Sequence, residues 1–260
     1  MPTSWPLASV VFFAYVAVAA QWRAPSTRAR WLAWLGSAIG AAIAVAAFRS
    51  PVDGLARGLV LPVALLLIAY WTTGVLFVRP MPRAERLLAS LDDRLRLDRI
   101  AGALPRPIAE LLEFSYSSVY PLILIALLLS ARAGVTAERF WSVMLVTDFV
   151  CFGMLPWIQT RPPRSVTGDP GWRSSWRSLN RRLLEASSVQ ANTFPSGHAA
   201  EALAAALLVA GSSPWLTAVA FMAAIAVSAG AVLGRYHYAA DVIAGWATAV
   251  CVLYLLPSTF

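Results

Sequence analysis

Residues 214–234 read PWLTAVAFMAAIAVSAGAVLG, and the segment Arg235-Tyr236-His237-Tyr238 follows at once. The stretch contains no charged side chain, and a helix needs about 20 apolar residues to cross the hydrocarbon core of a bilayer. We therefore predict a membrane-spanning helix that ends in a short polar segment carrying a histidine.

Seven further apolar stretches surround this one, and the composition of the whole chain agrees with them. Hydrophobic residues make up 59% of the sequence and charged residues 13%, whereas a soluble domain usually has about 25% charged residues. The predicted fold is all-α, a polytopic membrane helix bundle. The other expected spans are 5–22, 31–48, 58–78, 108–130, 139–158, 197–211 and 239–257.

The organisation predicted from these spans is one membrane domain in two parts. Residues 1–57 hold two N-terminal transmembrane helices, and residues 58–260 hold a six-helix core. No basic residue precedes the first span and Arg23 follows it. Because a signal peptide begins with a positively charged region, we expect the first span to be retained in the protein.

The connection after the third span predicts a helix at the membrane interface, over about residues 80–104. Arginines alternate there with leucines at helical spacing, and such a helix lies with its apolar face in the bilayer boundary. A plain solvated helical loop is the alternative. The arginines are Arg79, Arg83, Arg86, Arg94, Arg96, Arg99 and Arg106.

The basic residues of this chain are all arginines, 21 in number, and the net charge is +8. They lie between apolar stretches and form no soluble basic face, so we expect contact with anionic lipid and no nucleic-acid partner. Most of them fall in the connections 22–30, 79–107 and 159–196. The positive-inside rule places these connections in the cytoplasm.

Three short polar segments lie on this same predicted side of the membrane: residues 159–164, 192–198 and 234–241. In the second segment, Pro195 suits the first turn of a helix, and Ser196 and Gly197 then present donors at the positive end of the helix dipole. This arrangement binds anions such as phosphate. Arginines of the first and third segments can add bidentate contacts to the same anion.

The two histidines of the chain both lie in these segments. His237 and Asp241 are four residues apart, so on a helix they share one face. The carboxylate can hold one ring nitrogen protonated and leave the other free to attack, with the histidine as nucleophile. His198 then remains as the candidate general acid for the leaving group.

Other polar residues are weaker candidates. Asn192, Glu201 and Asp148 are expected to contact the catalytic or phosphate-binding residues without binding the substrate themselves. Glu201 can equally be a helix-end residue that reaches water. Glu110 and Glu113 lie near a span end and are expected to be interfacial. The loop arginines are expected either to guide an anionic headgroup or to rest on lipid phosphates; they are Arg173, Arg177, Arg181 and Arg182.

These segments resemble the three signature motifs of the type-2 phosphatidic acid phosphatase superfamily, which are integral membrane lipid phosphatases. Pro195-Ser196-Gly197-His198 matches the second motif fully, and His237 and Asp241 match the third. The resemblance covers about the last 200 residues and implies the six-helix core. It also implies that His237 forms a phosphohistidine, Asp241 orients it and His198 protonates the leaving group.

The resemblance further implies that Ser196, Gly197 and the motif arginines bind phosphate, with no metal or other cofactor. Met154 and Ala231 stand where the family usually has a lysine and an arginine. Arg164 and Arg235 are therefore the first candidates for phosphate binding, and Arg161 is the next. The segments 162–164 and 235–238 look more like the branch related to inositol phosphorylceramide synthases.

The function implied is a metal-independent enzyme that hydrolyses a lipid phosphate monoester or diphosphate. A lipid phosphotransferase, moving an inositol phosphate-like headgroup to a lipid or polyol, is the first alternative. A non-catalytic anion or lipid-binding transporter is the second. We expect an integral protein of the bacterial inner membrane; the arginine pattern favours a cytoplasmic site, and many bacterial relatives face the periplasm.

Overall fold

A computed structural model describes residues 4–49, 54–172 and 174–256. It has thirteen α-helices and, in these ranges, no β-strand beyond one isolated bridge between Thr160 and Asn192. The helices of the first half are α1 (Trp5–Arg23), α2 (Thr27–Arg49), α3 (Leu61–Gly74), α4 (Pro82–Arg94), α5 (Leu97–Gly102), α6 (Arg106–Ser117) and α7 (Val119–Ser130). Those of the second half are α8 (Ala137–Gly153), α9 (Pro163–Val166), α10 (Ser175–Ser187), α11 (Gly197–Val209), α12 (Pro214–Leu233) and α13 (Ala239–Leu255).

The prediction of an all-α polytopic membrane bundle is confirmed. In the described ranges, four helices are long and apolar enough to cross a membrane: α1, α2, α12 and α3 with the π-helical turn Ala56–Val60 before it. Helices α11 and α13 are apolar but shorter. Residue 257, the end of the eighth expected span, lies outside the described residues. The division of the chain at residue 57 stays a prediction.

The expected span over residues 108–130 is not one straight helix: α6 and α7 together are long and apolar enough for a span, but the chain bends between them. Helices α6 and α7 meet at Ser118 with a bend of 60°. Pro121 lies in the first turn of α7, where it has no N–H to donate and its ring crowds the carbonyl of residue 117.

The expected single helix over residues 80–104 is likewise divided in two. Helix α4 ends at Arg94 and α5 begins at Leu97, with Arg96 between them at a left-handed φ of 53°. Leu88 and Ala101 are buried while Leu87, Leu95 and Ile100 are exposed. The position of these helices at the membrane interface stays a prediction.

Helix α11 is the centre of the bundle and packs against α7, α8, α12 and α13. Six of its thirteen residues are alanine, and nearly all of the helix is buried. Small side chains allow helices to approach closely inside a membrane. Gly245 of α13 is one such position, because a Cβ atom there would lie 2.6 Å from the Ser196 carbonyl oxygen. The start of α11 and the first half of α13 are therefore held in direct backbone contact.

Candidate active site

His237 and Asp241 meet at the start of α13. The Asp241 Oδ2 atom accepts hydrogen bonds from the Tyr238 backbone N–H at 2.8 Å and from the Asn192 side-chain amide at 2.9 Å. It lies 3.5 Å from Nδ1 of His237. His237 precedes α13, so the expectation that one helix carries both residues is wrong. The capping turn at Tyr238, which buries Asp241 completely, brings them together instead.

Ser196 occupies the N-cap position of α11. Its hydroxyl oxygen accepts from the Ala199 N–H at 3.4 Å, and its own N–H donates to the Asp241 carbonyl at 3.0 Å. Ser196 is fully buried, whereas Gly197 and His198 line a cavity. The first turn of α11 thus presents backbone N–H groups to this cavity, as in helix starts that bind anions. The Ser196 hydroxyl, in contrast, takes part in the helix cap.

The two histidines face each other at this cavity. Their ring centroids are 5.9 Å apart, and both residues line the cavity. The His198 ring stacks on Tyr116 with a centroid distance of 4.8 Å, and its Nε2 atom lies 3.3 Å from the Tyr120 hydroxyl. The space between the rings is where a group could be attacked from one side and protonated from the other.

An aromatic column extends from His198 to two arginines. Tyr116 stacks on Tyr236 with a centroid distance of 3.9 Å. The guanidinium carbons of Arg164 and Arg177 lie 5.1 Å and 5.5 Å from the centroid of the Tyr236 ring. Cations are attracted to aromatic faces at such distances. The column therefore fixes the general-acid candidate and Arg164 relative to each other.

Arg164 is the arginine that lines the cavity. Its backbone N–H donates to the Arg235 carbonyl at 3.1 Å. Within the described part of the chain no carboxylate pairs with its side chain, whose contact is the face of Tyr236. The position of Arg164 agrees with its predicted role as a phosphate ligand.

Arg235 and Arg161 are held elsewhere. The Arg235 guanidinium contacts Asp98 at 2.5 Å and the Thr167 hydroxyl at 2.6 Å. Arg161 binds Glu85 through its backbone N–H, Nε and Nη2 at 2.9–3.0 Å. Neither arginine lines the cavity. Their predicted direct phosphate contacts therefore disagree with this arrangement, because each already binds a carboxylate.

The carboxylates that hold these segments all come from α4 and α5. Besides Glu85 and Asp98, Asp92 accepts a hydrogen bond from the Ala239 N–H at 2.9 Å, at the start of α13. The bonds from Arg161 hold the pKa of Glu85 below its ordinary value. Burial raises the pKa of Asp92 to about 6. The α4–α5 segment thus contacts the first and third polar segments at three points.

The three weaker candidates take different positions. Asn192 donates to both Asp241 and Thr160, at 2.9 and 3.0 Å, so it supports the carboxylate behind His237. Glu201 lines the cavity and is 6% exposed. Asp148 is fully buried in α8 and has Glu201 as its strongest electrostatic neighbour.

Glu113 is buried among protein side chains, and its expected interfacial position stays a prediction. It accepts hydrogen bonds from Arg177 at 2.6 Å, Asn180 at 3.0 Å, Trp172 at 3.1 Å and Tyr236 at 2.5 Å. A carboxylate and a guanidinium are buried together only when paired and hydrogen-bonded. Glu113 therefore ties α6, α10 and the aromatic column together.

Two of the four loop arginines, Arg177 and Arg181, have structural partners. Arg177 is buried and also contacts Asp169, while Arg181 contacts Asp169 and Glu185. For Arg177, both expected roles are wrong, because its side chain is directed into the protein. Arg173 lies outside the described residues.

The inner part of the cavity is largely apolar. Its wall there comes from α3, α8 and α10, with Leu66, Leu67, Tyr70, Trp71, Phe152 and Leu184. Leu67 and Trp71 are also exposed on the outer surface of the bundle. Among the residues described, no group of three or more His, Cys, Asp and Glu side chains could hold a metal ion. The cavity thus joins a polar end, at the two histidines, to an apolar wall facing the bilayer.

Residues that sequence reasoning missed are the aromatic ones. Tyr116 and Tyr120 lie one helical turn apart in sequence and both contact His198, although the bend at Ser118 separates them into two helices. The four-residue spacing of Tyr116 and Tyr120 is visible in the sequence. An apolar stretch, however, contains many pairs of residues at this spacing. Only the packing of α6 and α7 against α11 selects these two.

One of three comparisons with known proteins identifies a family. A family model described as PAP2 superfamily matches residues 86–255. Comparisons with curated proteins and with solved structures gave no match. The matched region contains all three polar segments and well over half of the chain. The chain therefore belongs to the PAP2 superfamily, whose members are generally phosphatases or phosphotransferases.

Proposed function

We propose that this protein is a lipid phosphatase that works through a phosphohistidine. The observation that carries the proposal is the pair of histidines, 5.9 Å apart at the polar end of a cavity that also has an apolar wall, with Asp241 behind His237. A phosphate ester at the membrane interface, with its hydrocarbon chain between helices, fits both ends of this cavity.

In the first step His237 attacks phosphorus. Asp241 holds the proton on Nδ1, so the lone pair of Nε2 forms the P–N bond while the bond between phosphorus and the ester oxygen breaks. His198, protonated, gives its proton to the leaving alkoxide. The lipid alcohol departs and the phosphoryl group stays on His237, where the nearby carboxylate stabilises the positive imidazole.

In the second step water attacks the phosphoryl group. His198, now neutral, accepts the proton of the water molecule, the P–O bond forms and the P–N bond to His237 breaks. Inorganic phosphate leaves. Arg164 and the N–H groups at the start of α11 stabilise the phosphoryl oxygens in both steps, because charge-assisted contacts and the helix dipole favour negative charge there.

A phosphotransferase differs only in the acceptor of the second step. A lipid or polyol hydroxyl, such as an inositol-type acceptor, would take the place of water. This alternative rests on the likeness of residues 162–164 and 235–238 to the inositol phosphorylceramide synthase branch. A non-catalytic anion or lipid transporter is the other alternative, and it would have no use for a carboxylate behind His237.

The test is a phosphate-release assay of the purified protein in detergent, over lipid phosphate monoesters and diphosphates with one hydrocarbon chain. We expect free phosphate from at least one of them and an acid-labile phosphoprotein in rapidly quenched samples, lost in His237→Ala. Headgroup exchange that requires an added alcohol would favour the transferase. Binding without phosphate release or exchange would favour the transporter.

We also propose that the protein lies in the bacterial inner membrane with the arginine-rich side, and hence the site, in the cytoplasm. Ser165 is exposed beside the site. With Cys151 and Cys251 replaced by serine, Ser165→Cys should resist a membrane-impermeant thiol reagent in intact cells and react after lysis. Labelling in intact cells once the outer membrane is permeable would place the site in the periplasm.

A further inference from the structure

Two tyrosines contact the ring of His198, the proposed general acid. Tyr116 lies nearly parallel to this ring, with the centroids 4.8 Å apart and the planes inclined by 13°. Tyr120 meets the same ring edge-on, at 5.7 Å and 76°, and its hydroxyl oxygen lies 3.3 Å from Nε2 of His198. Neither tyrosine takes part in the two proposed reaction steps.

Tyr120 is an unusual partner for a histidine, because its side chain is 55% exposed on the outside of the bundle. A tyrosine near a membrane surface commonly directs its hydroxyl to water or lipid headgroups. The hydroxyl of Tyr120 approaches His198 instead, and both residues line the cavity. The contact between the hydroxyl and Nε2 therefore belongs to the candidate site and is more than an anchor in the bilayer.

A hydrogen bond to one ring nitrogen of a histidine determines what the other nitrogen can do. A tyrosine hydroxyl can accept a hydrogen bond from an N–H group. When Tyr120 accepts from Nε2–H, this nitrogen keeps its proton through both reaction steps. Nδ1 is then the nitrogen that gives a proton to the alkoxide and later takes one from water. In the proposed mechanism Asp241 holds the idle proton of His237 in the same way.

The parallel tyrosine favours the protonated form of the His198 ring. An imidazolium ring is a cation, and cations are attracted to the face of an aromatic ring. Tyr116 also stacks on Tyr236 at 3.9 Å, and the Tyr236 hydroxyl donates to the buried carboxylate of Glu113. Tyr116 is thus held by buried groups and can in turn fix the plane of the His198 ring.

We propose that Tyr120 is a positioning residue for His198. Its hydroxyl accepts a hydrogen bond from Nε2–H while Tyr116 fixes the plane of the ring, so that Nδ1 carries the proton that is exchanged with the substrate. The inference rests on the proposed function and adds to it a residue that acts only through the general acid. Tyr120 should therefore matter for leaving groups that need a proton and not for those that leave without one.

The tautomer of His198 can be measured without turnover. His198 and His237 are the two histidines of the chain, so protein carrying ¹⁵N-labelled histidine gives two ring spectra in detergent, assigned with His237→Gln. At a pH where both rings are neutral, we expect the Nε2–H tautomer for His198 in the wild-type protein. Tyr120→Phe should show a mixture with the Nδ1–H tautomer. An Nδ1–H tautomer in the wild type, or the same tautomer ratio in both proteins, would overturn the proposal.

The kinetic test compares two esters with the same hydrocarbon chain: dodecyl phosphate and a nitrophenyl phosphate that carries a dodecyl chain. The first releases an alkoxide, which needs a proton, whereas the second releases a stable phenolate, which needs little help from an acid. With dodecyl phosphate, Tyr120→Phe should lower kcat by about tenfold with little change in KM, the effect of one hydrogen bond to a charged group. With the nitrophenyl ester, kcat should stay within about twofold of the wild type.

Tyr70→Phe is the matched control. Tyr70 also lines the cavity, but its hydroxyl contacts the Ser188 hydroxyl at 3.2 Å and the Val189 N–H at 3.0 Å. Removal of this hydroxyl should change the rates with both esters by the same factor. Equal losses on both esters in Tyr120→Phe would likewise show a structural role only and would contradict the proposal.

A double variant separates an effect through His198 from an independent one. In the His198→Ala background, Tyr120→Phe should cause no further loss with dodecyl phosphate, because residues that act as a unit are not additive. Additive losses would contradict the proposal. If neither these esters nor any lipid in the phosphate-release assay is hydrolysed, the proposed function fails, and the tautomer measurement still decides the role of Tyr120.

Discussion

The two histidines and the three motif arginines are placed in this protein by different means. His198 lies in the first turn of α11 and His237 lies two residues before α13, and the two helix starts are in backbone contact through the Ser196 N–H and the Asp241 carbonyl at 3.0 Å. Arg164 lies in the short helix α9, and Arg161 and Arg235 lie outside the helices. Of these, Arg164 lines the cavity, while Arg161 and Arg235 bind carboxylates of α4 and α5.

The difference is that contacts between two helix starts hold the histidines, whereas the partners of the side chains hold Arg161 and Arg235. Capping and the packing of α11 on α13 leave the histidines little freedom. A long arginine side chain on a loop binds whichever carboxylate a neighbouring segment presents. The catalytic pair should therefore be sensitive to changes in its own side chains, and the arginines to changes in the surrounding segments.

The largest effect is expected for His237→Ala, which removes the proposed nucleophile. Phosphate release should fall by about 10³-fold or more, as when a covalent nucleophile is deleted. In His198→Ala, phosphate release should fall less, by about 10²- to 10⁴-fold, because the variant lacks the proposed general acid. Size-exclusion profiles in detergent should match the wild type; normal phosphate release by folded His237→Ala would contradict the mechanism.

The next largest effect is on stability, for Glu113→Leu. The change leaves Arg177 buried with only Asp169 to neutralise it, and breaking a buried ion pair from one side costs about 3–5 kcal/mol. Thermal unfolding followed by tryptophan fluorescence should show a large fall in Tm. Glu185→Gln is the matched control, since its exposed pair with Arg181 is worth at most about 1 kcal/mol; equal shifts in the two variants would refute the role of Glu113.

Substitutions of Arg164 and Arg161 should have different effects on the kinetics. Arg164→Ala removes the guanidinium that lines the cavity, and loss of a charged hydrogen bond predicts a kcat/KM about 10- to 100-fold lower, with weaker inhibition by inorganic phosphate. Arg161→Ala should lower Tm and leave the phosphate inhibition constant within about threefold. A phosphate inhibition constant that rises more in Arg161→Ala than in Arg164→Ala would reverse the assignment.

The smallest effect concerns pH and Asp92, the carboxylate of α4 that binds the start of α13. Its pKa in the folded protein is about 6, above the ordinary value of about 3.9, so the folded state binds more protons between these values. Its contribution to stability is therefore present below about pH 4 and is lost as the pH rises through about 6. Between pH 4.5 and 6.5, the Tm of the wild-type protein should decline relative to that of Asp92→Asn. Parallel curves of Tm against pH for the two proteins would exclude the effect.

The sequence alone determined the class of the fold and pointed to the two histidines as the candidate site. Long apolar stretches admit few structures other than membrane helices, because a backbone inside lipid must satisfy its own hydrogen bonds. The motif of residues 195–198 and the pair of His237 and Asp241 were visible in the same way, since helix starts and four-residue spacings are local features. The bend at Ser118 also has a local cause, because Pro121 lies in the first turn of α7.

Only the tertiary structure decided which side chains surround the histidines. Glu85 and Asp98 are 76 and 137 residues away in sequence from the arginines that they hold, and Glu113 is 123 residues from Tyr236. Such pairings depend on how α4, α5 and α6 pack against the second half of the chain. Local spacing carries no information about them, so the arginine that faces the cavity is identified by the fold and not by the motif.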